Sequence, residues 1–291
     1  MNNGWKKIVI DGNADLHRSE NCLLIIKGNE SRKIPINHIN SIIIESEQIT
    51  LTSSLMIFLI KNNVSVIFCD MKHNPSFEAV PFNKNTFSSK RLKEQIKWDE
   101  DRKSEIGSHI VKLKIKNQAN FLKRLGNAAF VYLESLIYDI DADNAIEIEA
   151  EAAKVYFREL FGTNFNRRIG NDINSALNYG YAVLLSNINR IVVSHGYNTS
   201  LGLNHHSGRN QFNLSRDIIE PFRPFVDEIV YENMYSGFDS EYKKRLLSVC
   251  SIEIRYNNSI ITIENALDLF TVSVINRMKD NLILGEVIDF A

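Results

Sequence analysis

The sequence predicts an α+β protein whose β-rich segment comes first and whose longer, mostly helical segment follows. Two observations carry this. Before Pro81 the apolar runs are short, β-branched and bounded by turn residues. Beyond Ser89 apolar residues recur at helical spacing over long stretches. The pattern changes between Pro81 and Ser89, so two domains are expected, 1–83 and 84–291.

In the first segment, Trp5–Ile10, Cys22–Lys27, Lys33–Ile36, Ile39–Ile44 and Val64–Cys69 read as strands. Asp11-Gly12-Asn13 and Gly28-Asn29 are turn signals. One helix intervenes over Ser53–Lys61, with Thr52 or Ser53 as its N-cap and Leu55, Phe58 and Leu59 as its buried stripe. Periodicity alone also admits a βαβ arrangement here. In the second segment, helices are expected over 90–104, 105–124, 126–138, 147–160, 170–190, 224–235 and 264–280. A hairpin over Ser251–Tyr256 and Ile260–Ile263 would turn at Asn257-Asn258. There is no internal repeat and no low-complexity tract.

Composition excludes several classes. With 44% hydrophobic and 24% charged residues, the 291-residue chain reads as an ordinary water-soluble globular protein. No apolar run is long enough to span a membrane, and MNNGWKKIVIDG lacks a signal-peptide core. Cys22, Cys69 and Cys250 are isolated and odd in number, which points to a reducing cytoplasm rather than disulfides or a zinc ribbon. Net charge is −1, which at first counts against nucleic acid, but its distribution is uneven. Lys84 to Arg124 holds twelve Lys/Arg against five Asp/Glu, interleaved with Phe87, Trp98 and Phe121. Val131 to Glu151 holds seven acids and no Lys or Arg. A basic segment beside an acidic one suits a phosphate-binding surface next to a metal pocket, and equally a pair of solvated helix faces.

Three further stretches carry chemistry. In EIEAEAAKVYFRELFG, Glu149 leads a helical stripe of Ala152, Ala153, Tyr156, Phe157 and Leu160. A carboxylate on such a face is costly unless paired or metal-bound, although in a first turn it can also reach solvent. Glu151 falls on the other face, with Lys154, Val155 and Arg158. His205 follows the helix-poor stretch Ser194 to Asn204, with His206 as its competitor. Asp217 and Glu220 are one helical turn apart, either a solvated pair or a site, and with Pro221 and Pro224 following, a helix here must break, kink or restart.

Taken together these stretches resemble the integrase family of CRISPR adaptation. Glu149 to Phe157 is similar to the family's E-G-x-A-A-x-x-Y-F, with Ala150 in place of Gly. Asn174 with Leu177 to Ala182 resembles N-x-x-LNYGYA, and Gly202 to His205 resembles G-x-x-H. Asp217 to Pro224 is similar to D-L-M-E-x-FRP, and Ile110 to Gln118 to I-V-x-x-K-I-x-N-Q. The wording FNLSRDIIEPFRP looks closest to members from type II systems. These motifs run from Ile110 to Pro224, and the N-terminal part is matched mainly by its strand pattern.

The resemblance implies a small N-terminal β-sandwich-like domain followed by a larger, mostly α-helical catalytic domain. It implies Glu149, His205 and Glu220 as catalytic ligands of Mg²⁺ or Mn²⁺, a donor set that suits a hard or borderline divalent ion. Asp217 would support them, and Lys112, Lys114, Lys116 and Arg223 are candidate DNA contacts. The implied reaction is metal-dependent attack of the 3′-hydroxyl of a short duplex DNA on the boundary of a CRISPR repeat. The implied partners are double-stranded DNA, a second copy of the chain, a small ferredoxin-like adaptation protein and other type II adaptation proteins, all in the cytoplasm. A non-catalytic DNA-binding scaffold of the same fold is the alternative. A metal-independent glycosidase using a carboxylate pair would leave the basic segment without a purpose.

Overall fold

In a computed structural model, residues 6–71, 75–79, 81, 88–204, 208, 210–279 and 288–290 are described. The chain forms two compact units, Met1–Lys84 and Asn85–Ala291.

The first unit contains β1 (Lys6–Ile10), β2 (Ala14–Ser19), β3 (Cys22–Lys27), β4 (Glu30–Pro35), β5 (Ile39–Ile44), β6 (Ile49–Leu51), α1 (Ser53–Lys61), β7 (Ser65–Cys69) and β8 (Pro75–Ala79). One sheet has the order β1-β5-β7-β8, the other β4-β3-β2-β6. β5 is parallel to β1 and to β7, while β8 is antiparallel at the edge. Every residue of β5 is buried, as a central parallel strand requires. In the other sheet β3 alternates, burying Leu23 and Ile25 while Leu24 and Ile26 are less covered. The buried residues of both sheets share one core with Leu55, Phe58 and Leu59 of α1. The arrangement is sandwich-like, and its parallel β5–β7 pair also satisfies the βαβ reading. Thr52 caps α1, its hydroxyl accepting from the Leu55 N–H at 3.2 Å. Gly28 turns β3 into β4 at φ +58°, a conformation that favours glycine.

The second unit contains α2 (Ser88–Ile96), α3 (Glu100–Arg124), α4 (Phe130–Asp139), α5 (Ala145–Phe161), α6 (Asp172–Ser194), α7 (Asn213–Ile219), α8 (Arg223–Glu232) and α9 (Ser240–Leu247). It ends with the hairpin β9 (Glu253–Tyr256) and β10 (Ser259–Thr262), then α10 (Ile263–Lys279) and β11 (Ile288–Phe290), which pairs with β9. α3 packs against α4 and α5, burying Val111, Ile115, Phe121 and Leu122 with Leu133, Ala152, Tyr156 and Leu160. A 3-10 turn, Glu220–Phe222, joins α7 to α8.

The α+β expectation holds, and four differences are local. The break expected at 104/105 lies instead at 97–99. There the Asp99 side chain accepts from the Arg102 N–H at 2.9 Å and starts one long helix. Trp98 is buried against the Tyr197 ring, centroids 5.9 Å apart, so it is core rather than a base-stacking surface. Phe121 is buried as well, and Phe87 lies outside the described residues. Helices α7 and α9 and strands β2, β6, β8 and β11 were not foreseen. They are short or rich in polar residues, so tertiary packing rather than pattern fixes them. Among the described residues no helix is long and apolar enough to cross a membrane.

Candidate active site

Glu149 extends the buried face of α5. Ala152, Tyr156 and Leu160 on that face are fully or nearly buried, and the Glu149 side chain is 22% exposed. α3 lies alongside and supplies Lys114, whose side chain is only 9% exposed. The Lys114 Nζ donates a hydrogen bond to Glu149 Oε1. The same nitrogen pairs with Glu220 Oε2 at 2.6 Å.

Glu220 reaches this point because α7 stops at Ile219 and the chain continues as a 3-10 turn. Pro221 lacks an N–H, so the ordinary helical ladder cannot run through it. The Asn117 amide of α3 donates to the Pro221 carbonyl at 2.8 Å and ties the turn to the long helix. Glu220 is 3% exposed, and Arg223 pairs with its other oxygen, Oε1, at 2.8 Å. Two carboxylates therefore face two cations in a nearly dry place, which balances their charge. Burial pulls the Lys114 amine down, but Glu220 and Glu149 outweigh it and hold the amine above its ordinary range.

Arg223 is backed by an aromatic wall. Its guanidinium lies 4.9 Å from the Tyr181 ring centroid. Arg167 approaches the same ring at 5.6 Å and Phe157 at 5.9 Å, and its side chain donates to Asn174 and Asn178. The Tyr181 hydroxyl donates to Asp227 Oδ1. Burial pushes the Asp227 carboxyl up to about 6, partly offset by the Tyr181 and Tyr156 hydroxyls.

Asp217 is buried, not solvated, and looks toward another segment. Its Oδ2 accepts from the backbone N–H groups of Leu203 at 2.6 Å and Asn204 at 3.2 Å. Gln95 holds the same loop further back. It accepts from the Asn198 N–H at 2.8 Å and donates to the carbonyls of Asn198 at 2.8 Å and Leu201 at 3.2 Å. The Asn213 amide adds a bond to the Ser200 carbonyl at 3.0 Å. This loop leads into His205. His205 and His206 themselves lie outside the described residues.

The expected site residues thus divide. Glu149 and Glu220 are brought together, Arg223 stands beside them, and Asp217 braces the backbone next to His205. Lys114 departs from its expected place on a DNA surface: it is buried between the two carboxylates. Lys112 is partly buried and Lys116 exposed. Glu151 does face outward, but it takes the Tyr132 hydroxyl of α4, while Arg158 pairs with Glu159 at 3.1 Å. Sequence reasoning did not find Gln95, Asn117, Tyr181 or Asp227 as parts of the site. Tyr181 lies inside the LNYGYA stretch, which was a usable signal. Asn117 likewise lies inside the Ile110 to Gln118 stretch, while Gln95 and Asp227 are set only by tertiary contact.

The donors suit a hard divalent cation. Oxygens that each reach one ammonium nitrogen are at most about 6 Å apart, close enough for small side-chain adjustments to bring both onto one ion. Two carboxylates would also cancel most of a divalent charge.

Comparison with known proteins places the chain in a family. The family model for "CRISPR associated protein Cas1" matches residues 8–238. A CRISPR-associated endonuclease Cas1 from Neisseria meningitidis serogroup C is 32% identical, over 98% of this chain and 97% of that protein. One from Pyrobaculum aerophilum is 28% identical, over 77% of this chain and 80% of that protein. Among solved structures, a casposase bound to integration product superposes with a TM-score of 0.81 at 20% identity, covering 97% of this chain and 93% of that one. A Cas1 protein from Thermotoga maritima gives a TM-score of 0.76 at 14% identity, with 96% and 99% covered. At these identities the two structures speak for the fold alone. The family model and the Neisseria relative cover nearly the whole chain between them, so this chain belongs to the Cas1 family of CRISPR-associated proteins.

Proposed function

We propose that this chain is a divalent-metal-dependent DNA endonuclease and integrase. It joins the 3′-hydroxyl ends of a short duplex to the boundary of a CRISPR repeat by transesterification, during spacer acquisition in antiviral defence. The observation that carries the proposal is the convergence of Glu149 and Glu220 on one cation position, with Arg223 beside them. The names of its relatives support it. The Neisseria protein is called an endonuclease, and the casposase was solved with an integration product.

In this reading Glu149, Glu220 and His205 hold Mg²⁺ or Mn²⁺. A bound divalent ion supplies charge neutralisation at a phosphodiester and a more reactive attacking hydroxyl. The chain's own residues do the rest. Arg223 is fixed by Glu220 and by the Tyr181 ring, so its guanidinium presents a preorganised positive charge to a phosphate. Asp217 and Gln95 fix the backbone at Asn198, Leu203 and Asn204, just ahead of His205 in the sequence. Lys112 and Lys116 lie on the basic segment and serve the DNA backbone, not its sequence. The working assembly is a homodimer in the cytoplasm with a small Cas2-type partner. A Cas6-RT-Cas1–Cas2 complex, among whose structures this fold recurs at a TM-score of 0.76, supports such an assembly.

The test is an integration assay with a short duplex and a repeat-bearing plasmid, with and without Mg²⁺ or Mn²⁺ and the small partner. Joined product is expected only with metal. Undiminished joining in EDTA would overturn the metal requirement. Duplex binding without joining under any condition would make the chain a scaffold.

A further inference from the structure

Lys114 is the most enclosed cation of the site, and its position is specific. It comes from the middle of α3, is 7% exposed as a residue, and touches the two proposed ligands at once. A lysine is taken out of water at this cost only where anions compensate it. Without it, two nearby carboxylates on different elements would repel each other across a dry gap.

We propose that Lys114 is the site's resident counter-cation: its ammonium holds Glu149 and Glu220 together until a divalent ion displaces it, so Lys114 sets how much metal the protein needs. This rests on reading Glu149 and Glu220 as metal ligands. The argument is one of shared space. A Mg²⁺ or Mn²⁺ ion sits about 2.1 Å from carboxylate oxygens, in the gap that the ammonium now bridges. The ion and the ammonium cannot both occupy that gap, and as like charges they repel strongly where water is scarce.

The surroundings suit an exchange. Glu220 divides its oxygens: Oε1 keeps Arg223 at 2.8 Å, while Oε2 holds Lys114 at 2.6 Å. Only the second oxygen has to change partner, so Glu220 stays anchored while it does. The lysine side chain is a flexible four-carbon stem and can swing away, which a guanidinium fork does less freely.

The test uses the full chain and Mn²⁺ alone, followed by electron paramagnetic resonance and by thermal melting. Lys114→Met keeps most of the length of the side chain and removes the charge; Lys114→Arg keeps the charge. In EDTA, Lys114→Met should melt below wild type. It should bind Mn²⁺ about tenfold or more tightly than wild type, because no like charge has to be expelled. Mn²⁺ should raise its melting temperature by more than it raises that of wild type. Lys114→Arg should bind Mn²⁺ no more tightly than wild type. A double variant, Glu149→Gln with Glu220→Gln, should abolish uptake and so locates the ion.

Equal or weaker Mn²⁺ binding by Lys114→Met would overturn the proposal while leaving the metal site standing. No uptake by wild type and by Lys114→Met alike would overturn the metal reading itself. Should Lys114→Met fail to fold even with metal, wild type still decides. The methyl signal of ¹³C-methylated Lys114 should shift in NMR spectra as Mg²⁺ is added, and an unmoved signal would overturn the displacement.

Discussion

Glu149 and Glu151 are two positions apart on one helix, and their surroundings could hardly differ more. Glu149 meets a buried lysine, whereas the exposed Glu151 takes a tyrosine hydroxyl. Glu149→Gln keeps the size of the side chain but removes the charge that balances a cation. It should lower strand transfer by orders of magnitude, about 3 kcal/mol or more in the barrier. Glu151→Gln weakens only a solvent-exposed contact away from the carboxylate pair and should stay within a few-fold of wild type. His205→Ala should likewise abolish transfer and His206→Ala should not. Initial rates of product formation decide both pairs, and an inverted order in either would move the ligand assignment to the neighbouring residue. This contrast was legible in the sequence, because helical phase alone puts Glu149 in line with Ala152 and Tyr156. The role of Lys114 was not. Its spacing from Lys112 and Lys116 suggested a charged surface, and only the packing of α3 against α5 and the Glu220 turn reveals its partners.

Between elements, α6 and α8 are held close by what one lacks and the other supplies. A Cβ at Gly180 would lie 2.4 Å from a Val226 methyl, so the helices meet where there is no side chain. One residue along each helix, Tyr181 reaches Asp227. That carboxyl is pushed from 3.8 up to about 6. The folded protein therefore holds its proton where the unfolded chain has lost it. The stabilisation is complete below about pH 4 and disappears as pH rises through 6, about 3 kcal/mol in all. Asp227→Asn keeps an acceptor for Tyr181 and removes the titration. Its stability relative to wild type should improve by about that amount between pH 4 and pH 7. Denaturant unfolding across this range measures it, and parallel curves for the two proteins would refute it. At this scale the sequence was a partial guide. Thr52 and the stripe of α1 were readable because a cap and a period are local. The Asp99 cap was missed because 90–124 has apolar residues at helical spacing on both sides of it, so the true break leaves no trace in the period. Asp227 follows the Pro pair inside an amphipathic stretch, and nothing local distinguishes it from a solvated acid.

For the molecule as a whole, a net charge of −1 gives no general attraction to DNA, so affinity has to come from a local field. The charge map along the sequence offers one candidate for it: a basic stretch ending at Arg124, then an acidic one. The change from β-rich to helical pattern was equally plain, because a period of two and a period near four are distinct over many residues. What one dimension could not show is which of these cations remain available. Lys114 is spent on Glu149 and Glu220, Arg124 pairs with Glu228 at 2.7 Å, and Lys103 pairs with Glu100 at 2.8 Å. Lys123 lies over the Phe130 ring at 5.1 Å and Arg102 donates to the Met278 carbonyl at 3.3 Å, whereas Lys116 is exposed and Lys112 partly so, and these last two are the proposed phosphate contacts. Each contact releases close to one counterion from duplex DNA, so the slope of log affinity against log salt should flatten by about 0.9 per contact removed. Lys112→Gln with Lys116→Gln should therefore flatten the slope by up to about 1.8. The double variant should weaken binding of unrelated duplexes equally, since phosphates carry no sequence. Fluorescence anisotropy over a range of salt concentrations gives both quantities. A slope identical to wild type would mean that the duplex takes another path over the protein, and a loss confined to one sequence would mean that these lysines read bases.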